Sequence, residues 1–196
     1  MFGITRNTVL VGVMALAVAS PSYADAYKVS GAEVVVVCPL TVGGSFEART
    51  KSVSGEVAAT AAEAGSVSGA LRVDLQTLET GIAVRDRHMR ETYLEVEKGP
   101  EFAVATFDQI RVEKLAGKST FTGTLQLHGQ RQQVTGTADL QQHDGRIRVQ
   151  AQFPIKVSSF QIQKPTYLGV GVKDEIQIKV VLTVEPTANS VAAARP

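Results

Sequence analysis

Residues 145–155 read "GRIRVQAQFPI", and the alternation in them decides the fold class. Ile147, Val149, Ala151 and Phe153 fall on one side of an extended chain, while Arg146, Arg148, Gln150 and Gln152 fall on the other, because successive side chains of a strand point to opposite faces. The same period runs through "DEIQIKVVLTVE" at residues 174–185, which gathers Ile176, Ile178, Val180, Leu182 and Val184. Working back along the chain, "GALRVDLQ" groups Leu71, Val73 and Leu75, "STFTGTLQLHG" groups Phe121, Leu125 and Leu127, and "QVTGTADLQQ" groups Val134, Ala138 and Leu140. Turn signals separate these runs: "LAGK" after the strand through Phe107, "HGQR" around Gly129, and "HDGR" around Gly145. Asp144-Gly145 between two alternating runs is the strongest hairpin signal present. With "AEVVVVC" and the two runs between Ser45 and Thr60, the chain carries about eight strands joined mostly by short turns.

Antiparallel strands with one apolar face close economically as a two-sheet sandwich or as an up-and-down barrel, which removes both sheet edges. Glycines inside strand patterns, at Gly55, Gly69, Gly123 and Gly136, suit the bends or bulges of a barrel wall. A helical insertion near the middle of the chain would cap a mouth. The expected fold is therefore an all-β antiparallel up-and-down barrel of about eight strands with a short helical insertion around residues 84–94. A barrel of that size either fills itself with side chains or holds one slender ligand. The chain has no Trp and only 7 Phe, so its inward positions are mostly Val, Ile, Leu and Ala. Periodicity leaves a hollow and a packed interior equally open.

The ends of the chain bear on where it works. Arg6 precedes the apolar run "VLVGVMALAV" at residues 9–18, which leads into "SPSYADAY". A basic start, a short apolar run and small residues at the end have the layout of a secretory signal. Residues 1–24 are read as that signal, with a cut before Asp25 or alternatively after Ala26. The run is too short to span a bilayer, which needs about 20 apolar residues. The expected location is the periplasm, with a barrel domain over 27–185 and a frayed tail over 186–196. Twenty Lys and Arg stand against 19 Asp and Glu, scattered rather than clustered, which excludes the electrostatic footprint of a nucleic-acid binder. Cys38 is the single cysteine, so no internal disulfide supports the fold. Its setting, "VVVVCPL", reads as a buried, inert thiol; a role in joining two chains as a homodimer is also open.

The most charge-dense passage is "RDRHMRETYL", residues 85–94. Met89, Tyr93 and Leu94 recur at helical spacing, and charged residues cover the remainder. Arg85, Asp86 and His88 could form a cluster, since a carboxylate can hold a guanidinium and fix an imidazole tautomer together. At a barrel mouth they would hold a polar head group, such as a phosphate or a quinone carbonyl. A structural reading competes, in which Asp86 caps the helix and ties it to the wall by an ion pair. Catalytic motifs are weak: "GGSFE" lacks the second glycine of a nucleophile elbow, and "GVGVKDE" leads into a strand rather than a helix. His88, His128 and His143 are far apart and show no zinc spacing; His128 and His143, beside turns, read as solvated. A lipid or amide hydrolase would have to use Asp86 and His88.

"TGIAVRDRHMRETYLEVEKGPEFAVATF", residues 80–107, resembles the central signature of the YceI-like family: a threonine-containing turn, Arg-Asp-x-His, a hydrophobic-aromatic pair, a Pro and an Ala/Thr-Phe strand. "FTGTLQLHGQRQQVT" resembles that family's Leu-His-Gly turn, and "FPIKVSSFQIQKPTYLGVGVKDEIQIKVVLTV" its closing segment. The resemblance covers roughly Gly69 to Glu185. Near the N-terminus the chain departs from it: the family's Pro-x-His-Ser-x-Val-x-Phe strand and His-Leu-Gly turn are replaced by "SGAEVVVVCPLTVGGSFEART". The resemblance implies a lipocalin-like barrel, exported, binding an isoprenoid lipid such as a polyprenyl phosphate or a quinone, without cofactor, metal or catalytic group. It makes Leu71, Val73, Phe107, Phe121, Leu125, Ile147, Val149, Phe153, Ile178 and Val180 the expected tail channel, and Arg85, Asp86 and His88 the expected mouth. The rival reading is a filled barrel that works through its surface, as a stress-response partner of a periplasmic or membrane protein.

Overall fold

A computed structural model describes residues 25–59, 65–167 and 170–187. The expected signal segment and most of the expected tail lie outside these residues. Strands β1 (Asp25–Pro39), β2 (Ser45–Thr50), β3 (Val53–Ala59), β4 (Ser66–Asp74), β5 (Val104–Val112), β6 (Gly117–Leu127), β7 (Gln130–His143), β8 (Arg146–Lys156) and β11 (Glu175–Pro186) form one antiparallel sheet. β11 also pairs with β1 along most of its length, from Tyr27 opposite Pro186 to Val37 opposite Gln177, so the sheet closes on itself. β2 and β3 act as one interrupted strand, because both pair with β1 in the same register: Val34 opposite Thr50 and Lys28 opposite Glu56. The result is a closed barrel of eight antiparallel strands in which every strand neighbours its successor.

The burial pattern of β8 reproduces the sequence alternation: Arg146, Arg148, Gln150 and Gln152 are exposed, while Ile147, Val149, Ala151, Phe153 and Ile155 are buried or half-buried. The wall bends where its ladder slips, between Val67 and Ala70 and between Asp108 and Arg111. Asp144 and Gly145 both have positive φ, 49° and 75°, as a two-residue turn joining β7 to β8 requires. His128 and Gly129 do the same between β6 and β7, at 52° and 71°.

Gly123 and Gly136 serve a different purpose from the bends expected of them. A Cβ at Gly123 would lie 2.3 Å from the Phe107 ring, and one at Gly136 would lie 2.4 Å from the Gln152 carbonyl oxygen and 2.8 Å from the Phe121 ring. These inward positions are left bare so that three phenylalanine rings can lie over them. Phe107, Phe121 and Phe153 meet with centroids 5.9 to 6.0 Å apart, one pair stacked and two edge-to-face, within the range of favourable ring pairs.

One end of the barrel carries the β1–β2 turn, the long β4–β5 connection, the β6–β7 turn and the segment between β8 and β11. The β4–β5 connection holds α1 (Ala83–His88), which continues as a π-turn over Met89–Tyr93, and α2 (Pro100–Ala103). The short pair β9 (Thr166–Tyr167) and β10 (Val170–Gly171) completes this end, where Gly171 accepts from the Thr41 amide at 2.8 Å.

Candidate ligand cavity and its mouth

The barrel is hollow. A continuous cavity of about 1580 Å³ runs inside it, larger than the usual 300–1,000 Å³ of small-molecule sites. All ten residues of the expected channel line it: Leu71, Val73, Phe107, Phe121, Leu125, Ile147, Val149, Phe153, Ile178 and Val180. Phe121, Leu125 and Phe153 are buried, whereas the others are only half-buried although they face inward. Side chains of this type in a packed core would be enclosed on every side; these pack against wall neighbours and the phenylalanine group but keep one side toward the open cavity. Small aliphatic side chains around an eight-stranded wall do not reach far enough to fill it. The packed interior that the sequence left open is thereby replaced, and the surface-acting reading loses the filled core on which it was built.

The mouth is built from the β4–β5 connection. Asp74 starts it by accepting the Gln76 amide at 2.9 Å, which turns the chain out of β4. Arg90 then donates to the Leu78 carbonyl at 2.9 Å, holding the helical segment against this turn. Met89, Tyr93 and Leu94 line the cavity, which is the apolar face expected from their spacing.

Of the three expected mouth residues, Arg85 and His88 lie on the cavity wall and Asp86 does not. The guanidinium of Arg85 stands 4.4 Å above the Phe46 ring, and its Nε donates to the Thr80 hydroxyl at 2.8 Å. Arg85 is thus held by an aromatic face, the Thr80 hydroxyl and, through Nη2 at 3.4 Å, the Thr80 carbonyl, on the cavity wall. Asp86 is buried, and its Oδ1 accepts from the Thr80 amide at 2.7 Å and the Thr80 hydroxyl at 2.5 Å. Burial works to raise its pKa, but those two bonds and the nearby guanidinium groups of Arg90 and Arg85 outweigh burial and hold the carboxyl below the ordinary range. Asp86 therefore neither caps α1 nor lines the cavity. Its carboxylate latches the turn that presents Arg85, and it is occupied by Thr80 rather than orienting His88, so the pair that hydrolysis would need is not assembled.

Cys38 also lines the cavity, alternating inward with Val34, Val36 and Leu40. Burial pushes its thiol up to about 11 against a smaller downward pull from Arg85, so it is poorly nucleophilic. Facing inward, it is not placed to join two chains. His143 is exposed, as expected. His128 is not: it is buried, with Nδ1 3.0 Å from the Phe160 carbonyl oxygen, Nε2 3.1 Å from a Glu95 carboxylate oxygen and an edge-to-face contact with Phe102. It ties the β6–β7 turn to the β4–β5 connection and to the segment after β8, pinning three elements of the mouth.

A family model described as the YceI-like domain matches residues 27–184. Among solved structures, the chain is similar to BcnA from Burkholderia cenocepacia, at 22% identity and a TM-score of 0.63, over 78% of this chain and 95% of that one. It is also similar to a polyisoprenoid binding domain from Saccharophagus degradans implicated in plant cell wall breakdown, at 21% identity and a TM-score of 0.62, over 83% of this chain and 99% of that one. A search among curated proteins finds no match.

Proposed function

The chain belongs to the YceI-like family, and from that premise we propose that it is a binding protein, not an enzyme, that sequesters or carries an isoprenoid-like amphiphile in its barrel. The tail lies along the aliphatic strand faces, and the head group, a polyprenyl phosphate or the carbonyl of a quinone, meets Arg85 and His88 at the mouth. The observation that carries the reading is the cavity of about 1580 Å³, bounded by apolar side chains for almost its whole length, with its polar groups confined to the ends. Such a container rewards removal of a long apolar chain from water at about 25 cal/mol per Å² buried and offers no polar partner along the way. The polyisoprenoid-binding character of the domain from Saccharophagus degradans supports an isoprenoid tail. The apolar run at residues 9–18 with its small-residue flank supports export to the periplasm as the place of action.

The test is native mass spectrometry of protein purified gently from cells, followed by extraction and identification of any co-purifying molecule, and repeated on Val149→Trp and Ile178→Trp. A stoichiometric prenyl or quinone species in the wild type, reduced in the folded tryptophan variants, is expected. An empty protein that also fails to take up added polyprenyl phosphate or ubiquinone would overturn the reading, as would full retention in the folded variants.

A further inference from the structure

Both ring nitrogens of His128 face oxygens that only accept. Nδ1 stands 3.0 Å from the Phe160 carbonyl oxygen, and Nε2 stands 3.1 Å from Oε2 of Glu95. A neutral imidazole carries one N–H and makes one of these bonds as donor; the imidazolium carries two and makes both. The side chain is buried and has the Phe102 ring edge-on at 4.8 Å, so water does not stand in for a lost partner, and an acceptor left facing a bare ring nitrogen is costly. Glu95 for its part is held as the carboxylate. Lys98 Nζ lies 2.6 Å from its Oε1, and that ammonium foremost, with His128 after it, keeps the carboxyl below its ordinary range against the effect of burial.

Backbone strain points to the same contact. Glu95 has φ 51° where the helical segment over Met89–Tyr93 gives way to the next turn, a place that usually falls to glycine. Glutamate there carries a backbone cost that glycine would not, and the two bonds of its carboxylate offset it. The contact is also coupled to the cavity. Leu94 precedes Glu95, Leu127 precedes His128, and Val157 and Ile162 bracket Phe160; all four line the cavity. Other charges on the surrounding elements are engaged elsewhere or exposed. Glu97 and Glu101, in the β4–β5 connection, are exposed. Arg131 on β7 donates to Asp108 at 2.8 Å and to Gln126 at 3.1 Å. After β8, Asp174 accepts from the Ser158 amide and hydroxyl at 3.0 and 2.7 Å, with Lys164 and Lys156 beside it.

We propose that His128 is a pH-sensitive latch on the barrel mouth. As the imidazolium it joins Glu95 to the Phe160 carbonyl and keeps the β4–β5 connection down on the β6–β7 turn. When pH rises and the ring gives up its Nε2 proton to solvent, the bond to Glu95 is lost, Glu95 keeps only Lys98, and the connection is free to lift. The mouth therefore holds its contents at mildly acid pH and exchanges them faster toward alkaline pH, across the interval from about 5 to about 8 in which an imidazole ordinarily changes charge. The use of the latch rests on the proposed cargo; the latch itself does not.

The experiment compares the purified wild type with Glu95→Gln at about pH 5 and about pH 8. An amide at this position donates to Nε2 of a neutral ring and still accepts from Lys98, so the variant is latched without the charge. Ring-nitrogen NMR of His128, amide hydrogen exchange of residues 94–103 expressed as protection, and release of the uncharged dye N-phenylnaphthylamine are read together. In the wild type both ring nitrogens should carry protons at the lower pH and one at the higher, with protection falling and dye release rising at least about tenfold, the order set by losing one charge-assisted hydrogen bond. Glu95→Gln should show a neutral ring and little change in protection or release, although His88 and His143 are unchanged in it. Glu95→Gly, which suits the left-handed backbone, should release quickly at both pH values. A wild-type ring that keeps one protonation state throughout, protection that does not change with it, or the same pH dependence in Glu95→Gln would overturn the proposal. A ring and connection that respond as expected, in a protein that takes up neither polyprenyl phosphate nor ubiquinone, would overturn the cargo reading and leave the latch standing.

Discussion

Asp86 shows how a charged residue that reads as a ligand contact can serve by holding another residue in place. Its carboxylate takes both the amide and the hydroxyl of Thr80, and the same Thr80 hydroxyl receives Arg85; removing the carboxylate frees the turn that aims the guanidinium. Because the folded pKa is depressed, the native state binds a proton less readily than the unfolded chain. The stabilisation is therefore present above the unfolded value of about 3.9 and is lost as pH falls through the lower folded value. Asp86→Asn is expected to cost about 1.5–3 kcal/mol at neutral pH, the usual worth of hydrogen bonds to a charged group. Thermal melts of both proteins at neutral pH and at about pH 3 should show that gap shrinking on acidification; a constant gap would mean that the carboxylate contributes only shape. The helical spacing and charge density of residues 85–91 were legible as a polar helical insertion, but the role of Asp86 was not, because its partner lies six positions earlier in a stretch with no pattern of its own. His128 was misread for the same reason: its partners Glu95 and Phe160 are 33 and 32 residues away, and a histidine beside a turn looks solvated until such partners are placed.

Strands were the most legible elements, since a period of two survives wherever one face is wet, as it is along β6 and β8. β2 and β3 show the limit: Ser45 to Thr60 reads as two runs, yet a common register on β1 makes β2 and β3 one broken strand, which only pairing can reveal. The inward glycines of β6 and β7 were misassigned to bends because a missing side chain looks the same whether the backbone or a neighbour needs the room. Their consequences should differ in a way that can be measured. Gly136→Ala sets a Cβ 2.4 Å from the backbone oxygen of Gln152, which cannot swing aside, and is expected to cost about 1–3 kcal/mol as overpacking, read from the midpoint of urea unfolding. Gly123→Ala meets only the far end of the Phe107 ring, at 2.3 Å. It should unfold at nearly the wild-type midpoint while turning that ring into the cavity and weakening prenyl-lipid uptake.

At the scale of the whole molecule, the period of two is shared by sandwich and barrel, and the barrel was legible only from secondary signs, the glycines inside strand patterns and the single helical insertion; closure itself rests on whether the last strand finds the first. A chain ending at Asp174 would lack β11 and leave β1 and β8 with unpaired edges, the standard template for strand-to-strand association. It is expected to aggregate in size-exclusion chromatography with light scattering, and a soluble monomer would show that the remaining strands close without it. The pairing of β1 with β11 also sets a timetable. Tyr27 meets Pro186, so the first strand to be made waits for the last, whether the chain emerges from a ribosome or from an export channel, and pairings of such long sequence separation form slowly. No partly emerged chain can enclose anything: the container comes into being in a single late event, after the whole of it has arrived.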